Sequence, residues 1–472
     1  MPTHPPSPRH ALTRRQLLQL ASAGTAALAM PDKTWSKTRF ATNPFTLGVA
    51  SGSPTHDSIV LWTRLLQEGQ SGGSTLGDKP IVVRWDIADD AQFTHIVRGG
   101  QAQAHPALAH SVHVEVDGLE PDRWYYYRFR AGDAVSITGR TRTFPAPDAQ
   151  ATHMRLAYAS CQRWDHGYFS AYRHMAAENL DAVLFLGDYI YEYPTSANAV
   201  REPTGGWVTT LDGYRARYAL HRSDADLQAM HALCPWIMTW DDHEVQNDYA
   251  GLHPGHSGTP VEDFAARRAA AYQAYYEHMP LRASVLTQGL DGLAKGAEMR
   301  IYGQVVFGKL ATFYVLDDRQ YRDAQACTSD SKTGGGTVHP AECNIWQQAQ
   351  RTLLGATQEQ WLDHALTQSS PGWNVITQQT LFGARDFHPS GAEQTLWNDG
   401  WDGYPAARQR VITSLQQHRV ANAVLLGGDV HENWVGHVKA DYSQPDSASV
   451  GVEFCGTSIT SHGGGNKKIA ER

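Results

Sequence analysis

The sequence predicts an α/β fold preceded by an all-β segment, and three observations carry that expectation. From about residue 44 to 145 the chain holds short runs rich in β-branched and aromatic residues, separated by Gly, Asp and Pro turns. From about residue 153 short apolar runs alternate with stretches of helical spacing. Six of those later apolar runs stop at residues that can hold a metal ion or make polar contacts, as expected where buried strands end at a functional crevice.

The first thirty residues do not belong to the fold. Arg14-Arg15 opens a short, Ala-rich apolar stretch reaching about Ala29, too brief to stay in a bilayer, and Ala27-Leu28-Ala29 is a small-x-small cleavage site. Residues 1–30 therefore read as a twin-arginine signal peptide. The expected partner is the twin-arginine export machinery, and the expected location of the folded protein is periplasmic or extracellular. No other segment reaches membrane length, so no transmembrane segment is expected in the mature chain.

Residues 44–145 come next. Ile59–Trp62, Ile81–Trp85, Val112–Val116 and Trp124–Arg130 are the expected strands of a small immunoglobulin- or fibronectin-like β-sandwich. Pro145 to Thr152 reads as a linker. In residues 153–472, helices are expected over 169–178, 210–230, 261–278 and 347–367, with long loops at 194–209, 250–260 and 328–345. The chain has 472 residues, of which 41% are hydrophobic and 19% charged, which is globular composition. A net charge of −8 gives no reason to expect nucleic acid as a partner. Of five cysteines, Cys327 and Cys343 flank Gly334-Gly335-Gly336 and are candidates for a small disulfide, while Cys234 and Cys455 read as buried apolar residues.

The strand ends hold the chemistry. The run 182–186 leads into Gly187-Asp188, where glycine permits a tight turn and the carboxylate reaches a crevice; Tyr191 follows three residues on. A phenolate there is a hard-anion ligand for a trivalent metal, although Gly-Asp at a strand end is also an ordinary turn. After 235–240 come Asp241-Asp242-His243-Glu244, four ionisable groups that are costly to bury unpaired. Asp242 reads as a ligand and His243 as the proton donor or the group that holds a substrate oxygen, the alternative being a solvated loop with an Asp-His hydrogen bond. Asp429 and His431 follow the run 422–428 at positions i and i+2 of one extended face. Cys161, after 154–160, is either a thiolate ligand or an inert thiol, and Arg163 is placed to meet a phosphate. Asp402 is either a further metal carboxylate or an Asp-Gly turn. The runs ending at Asp317-Asp318 and Gln378-Gln379 complete the six, which read together as polar ends on one edge of a sheet.

Taken together, Ala159-Ser160-Cys161-Gln162, Gly187-Asp188-Tyr189-Ile190-Tyr191, Trp240-Asp241-Asp242-His243-Glu244-Val245, Trp401-Asp402-Gly403-Tyr404-Pro405 and Gly428-Asp429-Val430-His431 resemble the PhoD family of alkaline phosphatases and phosphodiesterases, a branch of the metallophosphoesterases. Phe45–Gly52 and Val60–Arg64 look like that family's N-terminal accessory domain. The resemblance implies a metallophosphoesterase-type β-sandwich flanked by helices, with an Fe3+ and Ca2+ centre hydrolysing phosphate-ester substrates through a metal-activated hydroxide. It puts Cys161, Asp188, Tyr191 and His431 on iron, with Asp188 bridging to calcium. Asp242, Asp429 and Asp402 would hold the neighbouring metal, with His243 catalytic. Family members continue beyond Gly456–Ile459, so the resemblance also implies a sheet short of its last strands and a wider entrance here. Phospholipase D action on lipid head groups is a close alternative. A metal-bearing but non-catalytic exported protein is a second. A carbohydrate-active protein explains the acids but neither Tyr191 nor Cys161.

Overall fold

A computed structural model describes residues 39–463 apart from 71, 74–75, 202–204, 259, 290–297, 329–332, 370–371, 387–393 and 445. The twin-arginine stretch lies outside the described residues. The architecture is mixed α/β, with two six-stranded sheets at its centre.

The first sheet runs in the order Ser111–Asp117, Ser58–Arg64, Val49–Gly52, Trp236–Met238, Ala182–Phe185 and Leu156–Ala159. The second runs Gly303–Phe307, Ala311–Val315, Trp373–Thr377, Ala423–Gly427, Ser449–Cys455 and Trp434–Lys439. Their central strands are parallel. Period-two alternation explains why those strands read as unbroken apolar runs. Leu184, Ile237, Phe313 and Val375 share one apolar cluster drawn from both sheets. The intervening residues face helices. Val183, Phe185 and Trp236 pack with Tyr218 and Tyr275 from helices Leu211–Arg222 and Phe264–His278. Tyr314, Ile376 and Leu425 pack with helices Gly355–Thr367 and Pro405–Gln417. Each sheet thus has helices on one face and the other sheet's apolar residues on the other.

The expected helix over 210–230 is two helices. Asp224 breaks it because its side chain caps the next segment, Ala225–His231, by accepting from the Leu227 amide at 3.0 Å. Helix 347–367 begins only at Gly355.

The N-terminal strands are not walled off from the rest. Ile81–Ala88, Ile96–Ala104 and Trp124–Ala131 form a separate antiparallel sheet. Val49–Gly52, however, pairs with Trp236–Met238 at Gly52↔Trp236, so strands from before residue 145 extend the first six-stranded sheet. Ile59, Leu61, Val83, Trp85, Tyr125 and Tyr127 fill the cluster between the two layers. No helix among the described residues is long and apolar enough to cross a membrane.

Candidate metal centre

The six polar strand ends do not share one sheet edge. Three come from each six-stranded sheet, because the apolar runs form two packed sheets whose carboxyl ends meet. Four tips converge and two serve the frame. The Gln379 side-chain amide donates to Thr239 Oγ1 at 2.7 Å, Trp240 O at 2.9 Å and Leu316 O at 2.9 Å, lacing one sheet to the other. Asp317 accepts from the Arg319 and Gln320 amides and from the Trp240 indole, closing its own turn.

The first donor group is Cys161, Asp188 and His431, whose ligand atoms lie within 4.8 Å of one another. The Tyr191 hydroxyl stands 2.8 Å from Asp188 Oδ2 and 3.2 Å from His431 Nε2, and accepts from Ser461 Oγ at 2.7 Å. Local backbone places these residues. Cys161, Asp188 and His431 all have left-handed φ, of 61°, 57° and 56°, a conformation non-glycine residues keep only when their surroundings hold them there. Gly187 must be glycine: its φ is +105°, and a Cβ would lie 2.4 Å from the Asp241 Cβ. Glu244, through its carboxylate, accepts the Asp188, Tyr189 and Asp241 amides at 3.0, 2.6 and 2.8 Å and so locks two tips together. His431 Nδ1 donates to the His462 carbonyl at 2.9 Å, which leaves Nε2 as the free lone pair facing Tyr191.

Asp188 belongs also to a second group, with Asp242 and His243. Asp241, Asp242 and Asp429 form a third, and Asp242, Asp248 and Asp399 a fourth. Buried Asp242 Oδ1 has no hydrogen-bond partner. Arg319 braces this acidic run. Its Nε bonds Asp241, its Nη1 bonds Asp399 at 2.6 Å, and Asp242 and Asp429 lie 3.8 Å away. Arg322 and Gln325 hold the other Asp399 oxygen at 2.6 and 2.7 Å.

The electrostatics are those of a site short of positive charge. Burial pushes Asp188 well above the usual carboxylate range; His243 opposes the rise, and Asp242, Glu244 and Asp429 reinforce it. Burial, with Asp399 and Asp242, does the same to Asp248. Asp242 is held low because Arg319 and His243 outweigh its burial. Burial and then Asp188 push up both the Cys161 thiol and the Tyr191 phenol. Bound cations reverse each of these penalties, since every donor here binds metal in its deprotonated form. The mixed S, N and O donors of the first group and the all-carboxylate fourth group suit different ions.

His243 Nδ1 donates to Glu192 Oε2 at 2.7 Å, and its ring lies tilted against Tyr191 with centroids 4.1 Å apart. His243, Asp188, Asp242, Asp248, Asp399 and Asp429 line one cavity of about 500 Å3, with Tyr193, Trp397 and Arg385 on its walls.

Two expected residues are placed otherwise. Both Asp402 oxygens are taken, by Arg408 Nη1 at 2.6 Å and the Arg385 amide at 2.9 Å, so Asp402 shapes the wall while Asp399, three residues earlier, joins the acidic group. Arg163 bonds Asp165 at 2.9 Å and lies over the Tyr193 ring instead of lining the cavity. The sequence does not single out Asp248, Asp399, Glu192, Arg319 or Ser461, and it shows Glu244 only as one of four consecutive ionisable groups. Glu192, Asp248 and Asp399 carry a signal, each an acid close to a motif already singled out. Cys327 and Cys343 form the expected disulfide, and Cys161, Cys234 and Cys455 are buried and free.

Comparison with known proteins gives the family. Residues 156–472 match the PhoD-like phosphatase family and residues 29–145 its N-terminal domain. The chain belongs to the PhoD-like phosphatase family. It is 48% identical over 437 residues to alkaline phosphatase D of Bacillus subtilis (strain 168), covering 92% of this chain and 72% of that protein. A solved structure of PhoD superposes with a TM-score of 0.82 at 48% identity, over 90% of this chain and 79% of the other.

Proposed function

We propose that this phosphoric ester hydrolase works through a mixed Fe3+ and Ca2+ centre. Cys161, Asp188, Tyr191 and His431 would hold the iron, and Asp242 and Asp429, joined by Asp248 and Asp399, the calcium. When bound, such cations draw charge off the phosphate oxygens and acidify water near neutral pH. The single observation that carries the reading is Asp188, whose carboxylate is common to the Cys161–His431 group and to the Asp242–His243 group. One residue shared by two donor sets is what a two-cation site requires.

The other residues act around that core. Burial lowers His243, but Asp242, Glu192 and Asp188 together outweigh it and push the imidazole well above its usual range. With Nδ1 fixed on Glu192, its second ring nitrogen can donate to a phosphate oxygen or to the departing alkoxide. Thr380 Oγ1 donates to Asp429 Oδ2 at 2.6 Å and fixes that carboxylate's orientation. Tyr193 and Trp397 give the cavity an apolar wall for an organic leaving group.

The same reading takes the two sheets as the faces of a metallophosphoesterase β-sandwich and residues 44–145 as an immunoglobulin-like accessory domain. It sends the chain through the twin-arginine route to the periplasm or beyond, and the Cys327–Cys343 disulfide supports an oxidising destination. Elemental analysis with an absorption spectrum tests the metals. Turnover of p-nitrophenyl phosphate, bis-p-nitrophenyl phosphate and phosphatidylcholine tests the substrate class. We expect both nitrophenyl esters to be hydrolysed in a chelator-sensitive way. A colourless, chelator-insensitive enzyme of full activity would refute the metal mechanism, and cleavage of phosphatidylcholine alone would transfer the assignment to phospholipase D.

A further inference from the structure

The glycine run between the two paired cysteines, Gly334-Gly335-Gly336, has no part in the chemistry above, yet it abuts the acidic group. The Gly335 amide donates to Asp248 Oδ2 at 3.0 Å. A Cβ on Gly335 would come 2.8 Å from Trp397 Cζ2, 2.9 Å from Asp248 Oδ2 and 3.0 Å from Asp399 Cβ. A Cβ on Gly334 would meet Asp248 Cβ at 3.0 Å. Backbone this close to two ligand-type carboxylates admits no side chain without moving one of them.

The disulfide holds the run there. Cys327 and Cys343, with Cα atoms 5.8 Å apart, close the loop at both ends. Cys343 packs with Ala326, Val338, Trp346 and Leu396 in a small cluster of its own. From that cluster Thr337 and Val338 pair with Trp397 and Leu396. The Gly336 amide donates to Asn398 Oδ1 at 2.7 Å, and Asn398 Nδ2 donates to Ala326 O at 2.7 Å. Each link is short, so the disulfide, the glycine run and the Asp248–Asp399 wall form one braced unit. A two-residue strand pair and a five-residue cluster are small supports on their own, and loops of this kind lose their order when a cross-link is removed.

We propose that the Cys327–Cys343 disulfide, acting through residues 333–338, is a redox-dependent clamp on the Asp242–Asp248–Asp399 group: oxidised, it presses Gly335 onto Asp248 and Asp399 and holds them in their cation-binding arrangement; reduced, it releases them. The proposal rests on the metal reading above. Cys327 is exposed, so a dithiol can reach it. Its thiolate attacks Sγ of Cys327, the S–S bond breaks, and its second thiol resolves the mixed disulfide. Two protein thiols and one cyclic disulfide result, with two electrons passing from the dithiol. The clamp ties full occupancy of the acidic group to an oxidising compartment, while the Cys161–His431 group, which it does not touch, is filled either way.

The test uses the full chain in three forms: oxidised wild type, C327S/C343S, and G335A with the disulfide intact. Calcium is titrated by calorimetry, iron is counted by elemental analysis, and amide exchange is followed over 244–258 and 333–338. Loss of supporting contacts of this kind weakens metal affinity by roughly tenfold to a hundredfold. Both variants should lose calcium affinity on that scale, keep the iron content of wild type, and exchange the Asp248 and Gly335 amides faster. Calcium affinity and exchange equal to wild type in both variants overturn the clamp, as does equal loss of iron and calcium, which marks a general collapse. If oxidised wild type binds no calcium, the metal reading fails. The clamp is then judged on exchange alone: faster exchange at 248 and 335 on opening the disulfide upholds it, and unchanged exchange overturns it. G335A keeps the test sharp should the serine variant fail to fold.

Discussion

The Cys161–Asp188–Tyr191–His431 group and the Asp242–Asp248–Asp399 group lie side by side in one crevice but are built by different means. Every member of the first comes within a few residues of a strand end, and left-handed backbone at Cys161, Asp188 and His431 turns the side chains inward. Its polar support comes from Glu244, Ser461 and the His462 carbonyl. In the second group only Asp242 is a strand tip. Asp248 and Asp399 arrive on loops and are held by Arg319, Arg322, Gln325 and the Gly335 amide. The sheets themselves assemble one donor group, and buried cations with a cross-linked loop assemble the other. The first should therefore be rigid and the second adjustable.

That contrast can be broken at its shared member. Asp188→Asn should reduce turnover of p-nitrophenyl phosphate to background and lower the content of both metals, because the carboxylate serves both groups. Loss of only one metal by elemental analysis would deny the sharing.

Arg319→Met separates the groups. It leaves Asp241 and Asp399 buried with one cation fewer, a defect that costs about 3–5 kcal/mol. Urea unfolding of metal-free protein should show this cost, and added calcium should recover part of it if the proposed site holds calcium, since a ligand bound only by the folded state stabilises it. The iron content should be unchanged. An equal deficit with and without calcium would mean that Arg319 braces the whole crevice.

Glu453 probes the frame outside both groups. Its carboxylate accepts the Phe382 and Gly383 amides at 2.6 and 2.8 Å and so steadies the loop from which Thr380 reaches Asp429. Burial pushes it up to about 7, above the unfolded value near 4.5. The folded state then holds the proton more tightly than the unfolded state. Glu453's contribution to stability is full below about pH 4.5 and is lost as pH rises toward 7, by at most about 3 kcal/mol. Thermal unfolding of wild type against Glu453→Gln should show the variant gaining relative stability across that window. A constant difference from pH 4.5 to 7.5 would refute the assignment.

The smallest effect is at Tyr191. Tyr191→Phe removes hydrogen bonds to Asp188 and from Ser461, a loss of about 1 kcal/mol, and should abolish any visible iron–phenolate absorption while leaving calcium binding intact. A visible band that survives in the variant would place the phenol outside the coordination sphere.

Legibility in the sequence follows the same divide. Asp188, Asp242, Asp429 and His431 were visible because a buried strand announces itself as an apolar run and its end is a fixed place in the fold. Asp399 was passed over for Asp402, since both precede glycine in neighbouring turns and local pattern cannot say which carboxylate an arginine will occupy. Arg408 takes Asp402, and Arg319 with Arg322 positions Asp399. The merging of the N-terminal strands into the first sheet was likewise hidden. Strand pairing across 184 residues, from Gly52 to Trp236, leaves no periodic trace at either end.

By itself, then, the sequence determined the alternation of strand and helix, the chemical types at the strand tips, the cysteines able to pair and the family. Those depend on spacing of two or 3.6 residues and on short motifs, which a linear chain carries in full. Only the tertiary structure decided that the tips come from two sheets and which loop acids join them. It also decided that Arg319 lies between four carboxylates and that a glycine run is pressed against two of them. Such contacts are set by Coulomb pairing and close packing between segments far apart in the chain, and these act only once the sheets have met.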